Sequence, residues 1–477
     1  MKESAVHKSL PEDIRGRMVA ANQAEYEGRW MELNWITEAR AMEAESERAS
    51  CLAEINRSVA TLHQGTKLAL GLLSPGCAAC GQGGWSCLFI NGKCNCRCFY
   101  CPTAQDDLSV PTTNRIAFRQ PQEYAEYIRH FGFAGVSISG GEPLLTLERT
   151  VSYMNAVRRT AGDRLHLWLY TNGALLTPEI VAQLQDAGLN EMRFDISARE
   201  YDLGKLELAA GRIPCVTVEI PAIPEDRERV AELLPVLFDA GVNHLNLHQL
   251  RLTPHNFEQL KGRPYTFLHG EKVTVLESEL MVLGLMRSAL EKNVGLPINY
   301  CSYVYKHYYQ GAAARKRGAR HVMKDHEALT ESGYIRAMAA VGEPAVLERQ
   351  AAELDARGVE SRLWNLSGNK TCLYFHPELW PLLDFTACEL QLGYSEAVLS
   401  PHVSYRHAFK EIRLHPDKTA VVERQLRCPS LRLDPEGRFL FEDAVIRGSA
   451  EARTGAEKRN SGFGRFEFIP AGLPAYF

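Results

Sequence analysis

Six short segments of the chain are rich in hydrophobic residues, and each is separated from the next by a longer stretch with helical periodicity. They cover residues 85–92, 136–141, 166–173, 191–197, 216–223 and 244–250. Strands that alternate with helices predict βα units joined by right-handed crossovers, and therefore a parallel sheet. Six such units predict an α/β fold in the form of a partial (β/α)6 TIM-like barrel. In such folds the ligand binds at the carboxyl ends of the strands.

The segments on either side of these strands have different patterns. Residues 1–70 carry Ala, Glu, Arg and Met at helical spacing, which predicts a helical N-terminal extension that packs its apolar stripe against a neighbour. The barrel and a cysteine-rich loop are assigned to residues 71–330, and residues 331–477 to a C-terminal α+β domain for substrate or partner recognition. That domain is expected to open with a helix and to contain strands over 418–426 and 437–446.

Composition narrows the function classes without choosing one. The 477 residues are 45% hydrophobic and 23% charged, which is typical of a globular protein with a large core. The net charge of -4 gives no overall field for nucleic acid, and the basic run at 315–324 is the one feature that favours it. The first residues lack an apolar signal segment, and no stretch is long enough for a membrane helix, so a cytoplasmic location is expected.

Cysteine is concentrated in one part of the chain. Of 13 cysteines, seven fall between Cys77 and Cys101, which favours a metal or redox site over disulfides in a protein expected in the cytoplasm. Cys94, Cys98 and Cys101 have the spacing C-x-x-x-C-x-x-C directly after the first predicted strand. Three thiolates at this spacing suit a cubane [4Fe-4S] iron–sulfur cluster and leave its fourth iron open to a substrate.

The second predicted strand ends in a Ser-Gly-Gly-Glu-Pro segment, residues 139–143. Two glycines at a strand end let the backbone approach a ligand closely. Together with the three-cysteine loop one strand earlier, this segment resembles the radical S-adenosylmethionine (SAM) superfamily over residues 85–250. The order of features over residues 75–325 is also similar to a little-characterised branch that resembles the pyruvate formate-lyase-activating enzymes.

The resemblance implies an oxygen-sensitive radical SAM enzyme. Such an enzyme uses a [4Fe-4S] cluster to cleave SAM reductively, and the 5′-deoxyadenosyl radical abstracts hydrogen from a peptide, protein or small molecule. Its expected partner is a one-electron reductant such as a flavodoxin or ferredoxin. The resemblance places Cys94, Cys98 and Cys101 on the cluster. It places Gly140, Gly141 and Glu142 at the methionyl amine of SAM, and Tyr100 beside the adenine.

Position at the strand ends adds weaker candidates. Asn172, Asp195 and Ser197 follow the third and fourth predicted strands and are expected to face SAM or the substrate. Asn246 and His248 alternate along the sixth strand and are expected to face the substrate.

A second group of cysteines precedes the motif. Cys77 and Cys80 form a C-x-x-C pair flanked by glycines, and Cys87 follows seven residues later. One hypothesis adds Cys301, from the loop after the last strands, to make a second [4Fe-4S] cluster or a four-cysteine metal site from all four. In the alternative, Cys77, Cys80 and Cys301 bind a metal with an open position, and Cys87 belongs to the core.

Two other functions remain open at this point. One is a radical SAM enzyme that modifies tRNA, which rests on the basic run at 315–324. The other is a non-catalytic iron–sulfur or metal-binding scaffold protein. Formation of 5′-deoxyadenosine would separate an enzyme from a scaffold.

Overall fold

The structure is a computed structural model that describes residues 12–458 and 461–476. The chain forms two compact units: Met1–His307 with Ala471–Phe477, and Tyr308–Pro470. The second unit thus begins before residue 331, where the sequence pattern placed the boundary. Part of the reason is the helix at Gly311–Ala319, which packs against the long strand Cys388–Ser400 of the second unit. Within the described residues, every helix is too short or too polar to cross a membrane.

The first unit is built around a sheet of 11 strands. The strands of this unit are β1 (Val59–Leu62), β2 (Lys67–Leu70), β3 (Trp85–Asn91), β4 (Thr112–Thr113), β5 (Ile116–Ala117), β6 (Gly135–Gly140), β7 (His166–Thr171), β8 (Glu191–Phe194), β9 (Cys215–Pro221), β10 (His244–His248), β11 (Phe267–Leu268), β12 (Thr274–Val275) and β13 (Ile298–Cys301). The order in the sheet is β1-β2-β13-β10-β9-β8-β7-β6-β3-β4-β5, and β11 pairs separately with β12.

The predicted α/β partial barrel is confirmed. From β3 through β6, β7, β8, β9 and β10 to β13, neighbouring strands are parallel. The sheet ends in the antiparallel strands β1 and β5. The six predicted strands are β3, β6, β7, β8, β9 and β10. The prediction missed β13 as a seventh parallel strand, because its four residues include the polar Asn299 and its flanks carry no strand-ending glycine.

Helices accompany the strands of this sheet. Those of the first unit are α1 (Glu12–Tyr26), α2 (Glu38–Ile55), α3 (Pro75–Gly81), α4 (Pro121–Phe131), α5 (Leu147–Ala161), α6 (Pro178–Asp186), α7 (Arg227–Asp239), α8 (Phe257–Leu260), α9 (Leu276–Glu291) and α10 (Tyr303–Tyr305). Of these helices, α3 reaches the polar interior of the barrel through Gly76 and Cys77. The N-terminal extension is helical in α1 and α2, and α2 packs against α9. Its last part is not helical, because β1 and β2 form a hairpin whose second strand pairs with β13.

Polar side chains on the parallel strands meet inside the barrel. Arg193 on β8 donates to Glu219 on β9 at 2.6 Å. The amide of Asn246 on β10 donates to Glu219 at 3.0 Å, and Asn299 on β13 donates to Asn246 at 3.1 Å. Because these residues are linked from strand to strand, the interior of the barrel contains a continuous polar layer.

The second unit is α+β, as predicted. Its strands are β14 (Ala328–Leu329), β15 (Ile335–Gly342), β16 (Trp364–Leu366), β17 (Cys372–Phe375), β18 (Cys388–Ser400), β19 (Phe409–His415) and β20 (Lys418–Leu433). They pair in the order β16-β17-β15-β18-β20-β19, with β14 beside β15. The helices are α11 (Gly311–Ala319), α12 (Pro344–Ala356), α13 (Pro435–Phe441), α14 (Ala450–Lys458) and α15 (Gly464–Glu467).

Two local predictions for the second unit were wrong. Its opening segment contains the strand β15 before the helix α12, because pairing with β17 and β18 outweighs the helix propensity of its alanines. The segment 437–446 is helical rather than extended, since Asp434 caps α13 by accepting from the Gly437 N–H at 2.7 Å and Pro435 occupies its first turn. The predicted strand over 418–426 is part of β20.

Candidate functional site

Cys94, Cys98 and Cys101 lie on one loop after β3, here called the motif loop (residues 94–101). All three thiols are half-buried. The sulfur of Cys94 accepts from the Cys96 N–H at 3.4 Å, and that of Cys101 accepts from the Gln105 amide at 2.7 Å. The Tyr100 hydroxyl interacts with Cys98. The sulfurs of Cys94 and Cys101 therefore each accept a hydrogen bond from an N–H donor, and the sulfur of Cys98 lies near the Tyr100 hydroxyl.

This donor set fits an iron–sulfur cluster. Hydrogen bonds to the sulfurs are one of the means by which a protein stabilises thiolate ligands. Burial raises the pKa of Cys98 to about 12, against the effect of the Tyr100 hydroxyl, and burial also raises the pKa of Cys94. Among the described residues no three His, Cys, Asp or Glu side chains are arranged closely enough to hold a metal ion. Both facts indicate that binding of a metal must displace thiol protons and draw the ligands together.

The carboxyl end of β6 is fixed through its backbone against the residues that lead into the motif loop. The N–H of Gly141 donates to the Asn91 carbonyl at 3.0 Å, and the N–H of Glu142 donates to the Lys93 carbonyl at 2.7 Å. Gly140 has a φ of 129°, and a Cβ at Gly141 would lie 2.0 Å from the Lys93 oxygen. Only glycine fits this close approach of two backbones.

Glu142 does not present its side chain to open space. Its carboxylate accepts from the Leu144 N–H at 3.0 Å, the Thr171 hydroxyl at 2.9 Å and the Asn172 N–H at 2.8 Å. The residue is 1% exposed. Burial raises the pKa of Glu142, although the donors from Asn172, Leu144 and Thr171 oppose the shift. The carboxylate thus joins the end of β6 to the end of β7.

Asn172 carries this connection back to the motif loop. Its side-chain amide donates to Asn95 at 2.7 Å and lies 3.7 Å from the sulfur of Cys94. Asn172 therefore lies beside the first motif cysteine.

The structure also brings together Tyr100, Asp195 and Ser197. The Tyr100 hydroxyl donates to the Asp195 carboxylate at 2.9 Å and lies 2.7 Å from the Ser197 hydroxyl. Ser197 in turn donates to Asp195. Burial raises the pKa of Asp195, although the hydroxyls of Ser197 and Tyr100 oppose the shift. These three side chains join the motif loop to the end of β8.

A cavity of about 380 Å³ opens beside this group, and Cys98, Phe99, Tyr100, Ser197, Tyr201 and Arg229 are among the residues that line it. The Tyr201 hydroxyl donates to Asp226 at 2.7 Å, and the Arg229 guanidinium lies over the Tyr201 ring at 4.8 Å. Sequence reasoning missed Tyr201, Asp226 and Arg229. They follow β8 and β9 at positions with no strand-end pattern, so the sequence gives no local signal for them.

The four cysteines considered for a second metal site lie in different surroundings. Cys77 lies in the polar layer of the barrel, where its sulfur is 3.2 Å from the Asn246 amide and 3.6 Å from the Asn299 amide. Cys80 lies 3.7 Å from the Tyr305 hydroxyl. Cys87 interacts instead with Ser137 and Ser139, and burial raises its pKa to about 11. Cys301 ends β13 opposite His248 on β10.

A buried ion-pair network in the barrel was also missed. Arg193 pairs with Glu191 at 2.8 Å and with Glu219 at 2.6 Å. Arg193 and Glu191 are buried. His166 lies 2.8 Å from Glu191. The signal that would have found this network is the pair of charged residues at alternate positions of a strand in a parallel sheet, where both faces are otherwise apolar.

The predicted substrate-facing residues Asn246 and His248 both lie on β10. Asn246 is part of the polar layer. Burial and the nearby Lys306 lower the pKa of His248 to about 3, so its imidazole is neutral near pH 7. A neutral imidazole serves as a hydrogen-bond donor and acceptor rather than as a cation.

The basic run at 315–324 lies on and after α11 in the second unit. Arg315 is half-buried, donates to the Ser332 carbonyl at 2.7 Å and lies over the Tyr334 ring at 4.6 Å. The guanidinium of Arg315 is therefore used in packing, whereas Arg320 and Lys324 of the same run are exposed.

Comparison with known proteins agrees with this geometry. The family model described as Radical SAM superfamily matches residues 88–206. A protein of Methanocaldococcus jannaschii named "Putative glycyl-radical enzyme activating enzyme" is 30% identical over 275 residues, which cover 55% of this chain and 72% of the relative. A GTP 3′,8-cyclase of Rhodopirellula baltica is 27% identical over 206 residues, 43% of this chain and 52% of the relative. The chain thus spans about half the length of that cyclase.

Among solved structures, the chain is similar to Streptococcus suis SuiB bound to the precursor peptide SuiA. The TM-score is 0.34 and the identity 11%, over 61% of each chain. This likeness is too weak to bear on the substrate.

Proposed function

Because the chain belongs to the radical SAM superfamily, we propose that the motif loop and the carboxyl ends of β6, β7 and β8 form its SAM-binding site. The protein is an enzyme that cleaves SAM reductively and uses radical chemistry, and its cofactors are a [4Fe-4S] cluster and SAM. When bound, the cluster supplies the electron for this cleavage. The assignments that follow concern which residues of this chain hold the cofactors.

The cluster ligands in this proposal are Cys94, Cys98 and Cys101. The support is their common loop, their spacing and the N–H donors to the sulfurs of Cys94 and Cys101. Gly140 and Gly141 are assigned to the methionyl amine, since their backbone lies directly against Asn91 and Lys93, which lead into the motif loop. Glu142 acts as a positioning residue in this proposal, because its carboxylate is occupied by three protein donors.

The adenosine part of SAM is assigned to the cavity beside Tyr100. The observation that carries this assignment is the position of Tyr100 itself, which belongs to the motif loop, bonds to Asp195 and Ser197 after β8, and lines the cavity. A ligand that coordinates an iron on the loop and extends along β8 must pass this side chain. The aromatic rings of Tyr100 and Tyr201 offer surfaces against which an adenine can pack.

The substrate in this proposal is a peptide, protein or small molecule that loses hydrogen from an unactivated carbon. The name of the Methanocaldococcus relative, an activating enzyme of a glycyl-radical enzyme, supports a protein substrate. The electron is proposed to come from a one-electron carrier such as a flavodoxin or ferredoxin. We assign substrate or partner recognition to the second unit, because the family match at 88–206 lies wholly in the first.

Titration of SAM into the anaerobically reconstituted protein tests the site. Tyr100→Phe removes the hydroxyl that orders Asp195 and Ser197 and should raise the dissociation constant of SAM about tenfold, the equivalent of one buried hydrogen bond. Tyr153→Phe is the matched control, since its hydroxyl donates to the Phe118 carbonyl at 2.6 Å and the residue does not line the cavity. Equal affinities of the two variants would refute the assignment.

A further inference from the structure

The three cysteines Cys77, Cys80 and Cys301 lie away from the motif loop and surround one buried tyrosine. Tyr305 is fully buried, and its hydroxyl lies 3.7 Å from the sulfur of Cys80. The thiols of Cys301 and Cys77 also interact electrostatically with Tyr305. The three thiols, from α3 and from the end of β13, therefore lie in the neighbourhood of Tyr305, and a metal would have to draw them together, as in the motif loop.

The sulfur of Cys77 has polar neighbours from three strands of the barrel. Its sulfur lies 3.2 Å from the Asn246 amide, 3.6 Å from the Asn299 amide and 3.6 Å from the Arg193 guanidinium. All three neighbours are N–H donors, and Cys77 itself is buried. Donors directed at a sulfur are the outer contacts that metal-bound thiolates receive in proteins.

A buried cation beside these cysteines has no carboxylate partner. Lys67 on β2 is 1% exposed, and its amino group lies 4.2 Å from the centre of the Tyr305 ring. Among the described residues, no Asp or Glu forms an ion pair with it. A buried lysine without a counter-charge is costly, so the site is expected to contain a negative group in its functional form.

The charges of the barrel interior point the same way. Arg193 is paired with both Glu191 and Glu219, whereas the salt bridges of the described residues include none to Lys67. Lys306 interacts with Cys301 and Cys80. A dicationic metal centre held by three thiolates carries one net negative charge, which is opposite in sign to the charges of Lys67 and Lys306.

We propose that Cys77, Cys80 and Cys301 bind a second metal centre, either an iron–sulfur cluster or a zinc ion, with its fourth position open. Cys87 is not a ligand in this proposal, because it lies on β3 and interacts with Ser137 and Ser139. The shared chemistry is three thiolates on a dicationic centre. An open fourth position admits water or a ligand atom, whereas a structural zinc site has four protein ligands.

The test uses the full chain with the motif removed by Cys94→Ala, Cys98→Ala and Cys101→Ala. It is incubated anaerobically with iron and sulfide, or with zinc, and desalted before metal and sulfide are measured. The proposal expects retention of about four iron ions with sulfide, or about one zinc ion without sulfide, per chain. These two outcomes identify the kind of centre. Retention of no metal would overturn the proposal, and it would do so without any bearing on SAM binding.

Three further variants in that background test the ligand set. Cys80→Ser or Cys301→Ser should reduce the retained metal at least tenfold, whereas Cys87→Ser, the matched control, should leave it unchanged. Equal retention in all three variants would contradict the ligand assignment.

Alkylation of the unaltered chain keeps the ligand test valid if a serine variant fails to fold. In this protein with and without metal, iodoacetamide labelling should show that metal protects Cys80 and Cys301. Equal labelling of both cysteines in the two forms would also overturn the proposal.

Discussion

Glu142 shows how a single side chain connects the parts of the site. Its two carboxylate oxygens accept three hydrogen bonds from residues after β6 and at the end of β7. Asn172, which supplies one of these donors, contacts the motif loop through its side chain. The carboxylate therefore fixes the distance between two strand ends and, through Asn172, the position of Cys94.

Substitution of this residue should destabilise the fold. Glu142→Gln replaces one acceptor oxygen by an NH2 group that faces an N–H or O–H donor, so a buried donor loses its partner. The expected loss in the free energy of unfolding is about 1–3 kcal/mol, measured by urea denaturation. Glu148→Gln, on an exposed position of α5, should change it by less than about 0.5 kcal/mol. A Glu142→Gln protein as stable as the control would show that the three hydrogen bonds contribute nothing.

The role of Glu142 was not accessible from the sequence. Its place after two glycines predicted that Glu142 lies at a strand end and contacts the ligand. The structure places it just after the end of β6. The direction of the side chain depends on Thr171 and Asn172, which are about 30 residues away along the chain. By contrast, the common loop of Cys94, Cys98 and Cys101 follows directly from their spacing.

At the scale of strands and loops, the site depends on how closely the end of β6 approaches the start of the motif loop. Two backbone hydrogen bonds hold them together, at 3.0 Å and 2.7 Å. A Cβ at Gly141 would lie 2.0 Å from the Lys93 oxygen, which is a backbone atom and cannot rotate away. The loop and the strand must separate before a larger residue fits.

Gly141→Ala should therefore weaken SAM binding at least about tenfold, because the displaced motif loop no longer lies against the strand end. Gly262→Ala is the control, since nothing lies within 4 Å of its Cβ position and its φ is not in the left-handed region. Calorimetric titration with SAM measures both. If Gly141→Ala binds SAM as tightly as Gly262→Ala, the close approach is not required for the site.

Elements differed in how well the pattern of residues predicted them. The six predicted strands were recognised because each is a short run rich in hydrophobic residues between stretches with helical periodicity. The strand β13 was missed, since four residues with polar Asn299 toward the barrel interior do not form such a run. The strand β15 was mistaken for helix, because its alanines favour a helix and only its partners β17 and β18 impose the extended form.

Within the first unit as a whole, the polar layer joins strands that are far apart in sequence. Arg193 contacts Glu191 and Glu219, and Glu191 also accepts from the Thr217 hydroxyl at 2.8 Å and from the Gly76 N–H at 3.0 Å. Burial alone would raise the pKa of Glu191, but Arg193, His166 and Thr217 together outweigh it, and the net direction is strongly downward. The network thus holds Glu191 ionised inside the barrel.

The stability of the protein should fall in acid for this reason. A carboxylate whose pKa is lower in the folded chain binds fewer protons there than in the unfolded chain. Its contribution is present above its ordinary value of 4.5 and is lost as the pH falls toward the folded pKa. Glu191→Gln should lose about 3–5 kcal/mol of stability near pH 7, because Arg193 is left short of a buried partner, and should depend less on pH below 4.5.

Chemical denaturation at several pH values measures both effects. Glu148→Gln, at its exposed position on α5, is a suitable control. If the free energy of unfolding of Glu191→Gln fell in acid as steeply as that of the unaltered chain, the account of the network would be contradicted.

The central claim is that the motif loop supports reductive cleavage of SAM, and the most direct measurement is 5′-deoxyadenosine formed by the reconstituted full chain with SAM and dithionite under anaerobic conditions. The unaltered chain and Cys96→Ser, which changes a cysteine of the same loop outside the motif spacing, should both form 5′-deoxyadenosine. Cys98→Ser should form none. Absence of the product with a filled cluster, or equal formation by Cys98→Ser and Cys96→Ser, would contradict the claim.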